Sequence, residues 1–249
     1  MKKTLFVFFL VTSSLAVLQK GSASSPLAEQ FPPAYEAYSR AVYSTTASQK
    51  ELDGLFEKAQ NGASDYDSWE KDALLALCYF MKGMESYFTD DYKTAGSWFD
   101  QAQKTMELSI EKNQNAFNTA YLTQIIMQNA AVKGFSFQIK YVPGLPKLIE
   151  KALTLDPHCT QALYMRNFYN CTVPIPYGKG YLVGADSMAQ LLASEEKKSE
   201  IQKYLILSAR GYALSKKNKK AEAVECYEQA LEIFPNNSET LRALAELKK

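Results

Sequence analysis

Apolar residues recur at helical spacing along most of this chain, and the polar breaks between them have the length of short turns. The pattern is clearest over 204–235. There Gly211 precedes Ala223 by twelve residues, with Tyr227, Ala230 and Pro235 following, and Leu207, Leu214 and Leu231 beside them at helical spacing. Two antiparallel helices cross closely where each offers a small residue, and larger side chains then fill the space on either side. The spacing predicts a helix–turn–helix unit in which Gly211 meets Ala223, with a polar turn over 215–220. Pro235 stops the second helix, and Asn236 and Asn237 offer a cap to a closing helix over 238–249.

The same spacing returns at Gly83, Ala95, Phe99 and Ala102, with Asp90, Asp91 and Tyr92 as the turn. Glu107 stands where the proline would be, so this second helix is expected to continue through Leu108 and Ile110 toward Asn113. Upstream, Tyr35, Tyr38 and Val42 predict a helix over 34–43, and Leu52, Leu55, Phe56 and Ala59 one over 50–60. Ser64 or Asp65 is then the expected cap of the long run that begins at Trp69. A helix is expected over 115–134, followed by the alternating stretch 134–143. That stretch has no partner strand and reads as an irregular extension of the helix before it. Helices over 146–156, with Gly144 and Leu148 in the places of Ala223 and Tyr227, and over 158–172 come next. The passage 173–184 holds two prolines and three glycines and is expected to be a long loop. Such a loop either serves function or plugs a gap with Tyr177, Tyr181 and Leu182. A short helix over 186–194 leads to the charged segment 195–203. All of this predicts an all-α array.

The amino terminus changes where such an array would work. Lys2 and Lys3 precede an apolar run over 5–18 and the small residues Gly21, Ser22 and Ala23. This is the pattern of a secretory signal peptide over 1–23, cleaved after Ala23. About 14 residues of helix span roughly 21 Å, short of the ~30 Å hydrocarbon core, so a retained anchor is the weaker reading. The expected organisation is a signal peptide at 1–23, an amino-terminal helical segment at 24–66 and a repeat domain at 67–249. The expected location is periplasmic or secreted, soluble after cleavage.

Composition narrows the chemistry. The 28 basic and 27 acidic residues leave a formal charge of +1, which argues against nucleic acid as a partner. Sixteen Tyr and thirteen Phe supply either a ring-rich core or a ring-lined binding surface. Export makes Cys78, Cys159, Cys171 and Cys226 candidates for bridges, yet their predicted positions fit four separate buried or half-buried thiols. His158 is the single histidine, and neither a nucleophile set nor a metal or cofactor motif can be assembled around it. An enzyme is not expected.

The spacing at 204–235, and less fully at 76–107 and 148–171, resembles the tetratricopeptide repeat. Leu155-Asp156-Pro157, the helix with Leu163 to Tyr169, and the turn from Pro174 to Gly184, Ala185 and Asp186 resemble the exported repeat proteins associated with tripartite ATP-independent periplasmic transporters. The resemblance implies a tetratricopeptide-like superhelix and a helper that holds a ligand or docks a transporter's substrate-binding protein, as a possible homo-oligomer. Members usually carry a lipid-anchoring cysteine and paired glycines, where this chain has no such cysteine and Gly184-Ala185.

In such superhelices the first helix of each repeat lines a concave groove. The positions turned inward include Leu77, Phe80, Met84, Tyr87 and Phe88; Gln161, Tyr164, Phe168 and Cys171; and Leu205, Ser208 and Tyr212. The expected ligand-binding set is Phe80, Met84, Tyr87, Tyr164, Phe168 and Tyr212, with Tyr177 and Tyr181 near the mouth. It suits a hydrophobic small molecule or an apolar segment of a protein. The opposing expectation is a scaffold for envelope protein assembly without a small-molecule site, its groove filled by the helices over 34–60 or by another subunit.

Overall fold

The structure, a computed structural model, describes residues 31–173 and 178–249. The signal segment, Tyr177 and the prolines at 174 and 176 lie outside the described residues. The helices are α1 (Pro33–Ser44), α2 (Gln49–Gly62), α3 (Ser68–Phe88), α4 (Tyr92–Lys112), α5 (Ala116–Lys133), α6 (Phe135–Tyr141), α7 (Leu145–Leu155), α8 (Thr160–Thr172), α9 (Tyr181–Ala193), α10 (Glu200–Ser215), α11 (Lys220–Ile233) and α12 (Ser238–Leu247). Single 3-10 turns at Ala63–Asp65 and Val142–Gly144 complete the regular structure among the described residues. The fold is an all-α array in which α3 pairs with α4, α5 with α7, α8 with α9 and α10 with α11.

Each second helix buries the same triplet, spaced four and then three residues. The triplets are Ala95, Phe99 and Ala102 on α4; Leu145, Ile149 and Ala152 on α7; Gly184, Met188 and Leu191 on α9; and Ala223, Tyr227 and Ala230 on α11. These positions lie on one stripe of a helix, which is why they face the preceding helix together. The stripe moves two expectations by one residue. Leu145 and Ile149, not Gly144 and Leu148, take the places of Ala223 and Tyr227, and a Cβ on Gly144 would meet nothing within 4 Å.

The repeat glycines work against rings. A Cβ on Gly211 would meet the Tyr227 ring first, at 3.0 Å. A Cβ on Gly83 would overlap the ring of Phe99, which is likewise sixteen residues on. The turns match as well. Seven residues after each glycine, Asp90 and Asn218 adopt the left-handed conformation, at φ 61° and 55°. Asp and Asn tolerate that conformation better than other side-chain-bearing residues. In both turns the next residue's N–H reaches back five residues, Asp91 to Ser86 O at 2.9 Å and Lys219 to Leu214 O at 3.1 Å, closing the helix carboxyl end.

Several boundaries differ from expectation for local reasons. Helix α3 starts at Ser68 after Asp67, because Ser64 and Asp65 are used in the 3-10 turn. The stretch after Gly134 forms the separate short helix α6, not an extension of α5. Helix α9 begins at Tyr181, five residues before the expected start, so Tyr181 to Gly184 are helical and not loop. Gly180 at φ 96° makes the sharp entry, and Gly184 must lack a side chain because a Cβ there would lie 2.7 Å from the Cys171 backbone nitrogen.

The amino-terminal helices fold onto the array. Phe31, just before α1, packs on Phe117 and Tyr121 of α5 at ring distances of 5.9 and 6.1 Å. Tyr38 of α1 donates a hydrogen bond to the buried carboxylate of Glu85 on α3, which Lys82 also contacts at 2.9 Å. Burial and the adjacent Glu85 hold the Tyr38 phenol far above its usual range. Burial opposes the charge on Lys82, and its hydrogen bonds to Asp53 of α2 and to Glu85 outweigh that and raise its pKa. Tyr43 is enclosed by Phe88 of α3, Tyr204 of α10 and Phe234 after α11, at 5.8, 5.4 and 5.7 Å. A helix of this length is marginal alone, so this packing is what keeps α1 helical.

The far end of the chain meets the same helix. Asn237 caps α12 by accepting from the Thr240 N–H at 3.0 Å, and its amide donates to Tyr43 O at 2.8 Å. Thr45 donates to Asn236 O at 2.7 Å. Arg242 of α12 approaches Asp90 in the first repeat's turn at 3.6 Å. The last repeat is thereby tied back to the first across α1.

Candidate functional site

Helix α1 lies along the inner faces of the first helices, where the groove was expected to be. Between them remains a cavity of about 330 Å³. Its apolar wall is built from Phe31, Tyr35, Tyr43, Phe80 and Tyr121, so it takes residues from α1, α3 and α5. At its polar side stand Gln124 of α5 and Gln161 of α8, and the Gln161 Nε2 donates to Gln124 Oε1 at 2.8 Å. Its rim is charged. Arg40 of α1 pairs there with Glu200 at the start of α10, and the Lys198 ammonium donates to the carbonyls of Ser194 and Glu196 at 2.8 and 2.6 Å.

The sequence-predicted ring set is divided among several places. Phe80 is 3% exposed and lines the cavity; of the described residues in that set it alone does so. Met84 is buried and its sulfur accepts from Gln128 at 3.3 Å. Tyr164 is buried and stacks on half-buried Phe168 at 5.6 Å. Tyr87 is half-buried and donates to Glu239 of α12 at 3.2 Å. Tyr181 and Tyr212 meet edge-on at 6.3 Å, with Tyr212 36% exposed. Tyr177 lies outside the described residues.

Gln161 and Leu205 were placed on the inward face by their offsets from the repeat glycine positions, and both line the cavity. Gln124, Tyr35 and Tyr43 were missed as site residues. Gln124 is one of several polar residues on α5, with Asn118, Thr119, Thr123 and Asn129 also buried, so nothing local sets it apart. Tyr35 was legible, with Tyr38 and Val42, on the apolar stripe of α1, but nothing local shows what that stripe packs against, and Tyr43 was not read as part of it.

The cysteines are free thiols, with Cys78, Cys171 and Cys226 buried and Cys159 half-buried. Burial pushes Cys78 and Cys171 up to about 12. Among the described residues no group of three or more His, Cys, Asp or Glu is placed to hold a metal. His158 is exposed and lies 3.5 Å from Glu196. No helix among the described residues is long and apolar enough to cross a membrane.

With the array and the cavity in view, the comparison with known families bears on one stretch. Residues 204–237 match the tetratricopeptide repeat. The matched stretch runs from α10 through α11 to the Asn237 cap, which is the pair whose glycine lies on Tyr227. Together with the all-helical array, this match supports a tetratricopeptide-type protein. A search of curated proteins found no match to the chain.

Proposed function

We propose that this chain is an exported tetratricopeptide scaffold that engages a protein partner through its outer faces. The observation that carries the reading is the position of α1. Grooves between helices commonly take an extended or helical segment of another protein, and here Tyr43 of the chain's own helix packs on Phe88 of α3, while Tyr35 and Tyr43 line one cavity with Phe80 of α3 and Leu205 of α10. The outside offers apolar contacts in its place. Phe135 and Ile139 stand one helical turn apart on α6, 76% and 60% exposed. Side chains so spaced share one face, and aromatic and aliphatic anchors of this kind dominate protein interfaces.

Export rests on the signal-like segment over 1–23. A transporter's substrate-binding protein is the first partner to try, on the resemblance around 148–186. The experiment is site-specific photo-crosslinking in the source cells, with the photoreactive residue at Phe135, at Ile139 and, for comparison, at Lys104 of α4. The scaffold reading expects a discrete heavier product from the two α6 positions, absent at Lys104 and absent when Phe135 and Ile139 are both serine. Uniform or absent products would contradict it, and so would recovery of the protein from the cytoplasm with residues 1–23 intact.

A second reading, an apolar ligand held by the ring set, is favoured by the paired rings Tyr164–Phe168 and Tyr181–Tyr212. At Phe80, Met84 and Tyr164, all buried, a ligand would have to displace protein side chains. Loss of a bound fluorescent apolar probe on Phe168→Ser, with folding intact, would establish it over the scaffold reading.

A further inference from the structure

The cavity under α1 has a feature that a packing defect would lack. Gln124 and Gln161 are 7% and 4% exposed, and their mutual hydrogen bond uses one donor and one acceptor. The Nε2 of Gln124 and the Oε1 of Gln161 have no hydrogen-bond partner among the described residues, and both side chains line the cavity. Buried polar groups are nearly always satisfied, by protein, water or ligand. The pair therefore leaves one donor, Gln124 Nε2, and one acceptor, Gln161 Oε1, for whatever fills the space.

We propose that this cavity binds a small neutral ring compound through a carboxamide-type group. The ligand's carbonyl accepts from Gln124 Nε2 and its N–H donates to Gln161 Oε1. A carboxylate fits less well, because it has no hydrogen to give to Gln161 Oε1 and the nearby cations are engaged, Arg40 with Glu200 and Lys198 with two backbone carbonyls. The ring of the ligand lies against Tyr35, Phe80 and Tyr121, which supply flat apolar surface. The volume sits at the small end of the roughly 300–1,000 Å³ usual for ligand pockets, which limits the ligand to one or two rings. The site is formed jointly by α1 and the array, so a ligand there also fastens α1 in place. None of this depends on the outer-face scaffold reading.

The test is calorimetric titration of the mature chain, purified without detergent, with benzamide, nicotinamide and indole-3-acetamide, and with 3-methylindole as the analogue that lacks the amide. The comparison protein is the double variant Gln124→Leu, Gln161→Leu. Replacing both partners of a buried hydrogen bond by apolar groups of similar shape is often nearly neutral for folding. Wild type is expected to bind at least one carboxamide saturably at one site, and the double variant to bind it at least tenfold more weakly while binding 3-methylindole no worse than wild type does. Should the double variant fail to fold, magnetisation transfer from the bound carboxamide to the ring protons of Tyr35 and Tyr121 in wild type gives the same answer. No saturable carboxamide binding by wild type, equal binding by both proteins, or transfer to other rings alone would overturn the proposal.

Discussion

The first repeat, α3–α4, and the last, α10–α11, share their glycine, the ring sixteen residues on and the left-handed turn residue, yet they tolerate intrusion differently. At Gly83 a side chain would overlap the Phe99 ring, whereas at Gly211 the nearest Tyr227 atom lies 3.0 Å away. The inner faces differ too. Phe80 and Met84 of the first repeat are buried, and Tyr212, in the last repeat at the place Met84 holds in the first, is the exposed one. The same spacing thus specifies the helix crossing, while the depth of burial is decided by what lies on top. Over the first repeat lie α1 and α2, which belong to no repeat.

Tyr43 touches both repeats at once, and its loss should have the largest effect. Tyr43→Ala removes a fully buried ring between Phe88 and Tyr204 and is expected to cost about 3–5 kcal/mol, read from urea unfolding. Gly83→Ala comes next, at roughly 1–3 kcal/mol from overpacking. Adding Phe99→Leu should recover part of that, and a cycle without coupling would mean that glycine and ring do not touch. Gly211→Ala is expected to be within about 1 kcal/mol of neutral, because alanine's better helix propensity offsets the small shift asked of Tyr227. Equal costs at the two glycines would remove the difference between the repeats.

The thiols give the mildest contrast. Burial raises Cys78 in the first repeat up to about 12, and raises Cys226 in the last, where Arg210 acts in the opposite direction. Since the thiolate is the reactive form, maleimide at pH 8 should modify Cys226 before Cys78 and both far more slowly than a free thiol. The folded state holds the Cys78 proton that the unfolded chain releases near 8.5, so stability should fall as pH rises from there toward 12. A Cys78→Ala chain should show a shallower loss across that window.

Periodicity carried the array well because helix crossings are local in sequence. Gly83 and Phe99, or Gly211 and Tyr227, lie within one repeat, and the buried stripe of each second helix can be read from three residues. The errors arose where chain was inserted. Helix α6 displaced the register of Leu145 and Ile149, and the glycines around Gly180 concealed a helix start at Tyr181. The cavity was legible only in part, since Gln161 and Leu205 followed from their offsets while Gln124 and the α1 tyrosines did not. Contacts such as Thr45 with Asn236 span most of the chain, and no local pattern encodes which distant surface a stripe will meet.

The central claim is that α1 is an integral part of the array, held among its inner faces. Native-state amide hydrogen exchange tests it most directly, since α1, twelve residues long, gains little protection from its own hydrogen bonds. The account predicts that the amides of Val42 and Tyr43 exchange as slowly as those of Leu77 in α3 and Leu207 in α10, and that Tyr43→Ala removes the protection from α1 first. Exchange of the α1 amides orders of magnitude faster than those of α3 and α10 in the unaltered protein would contradict it.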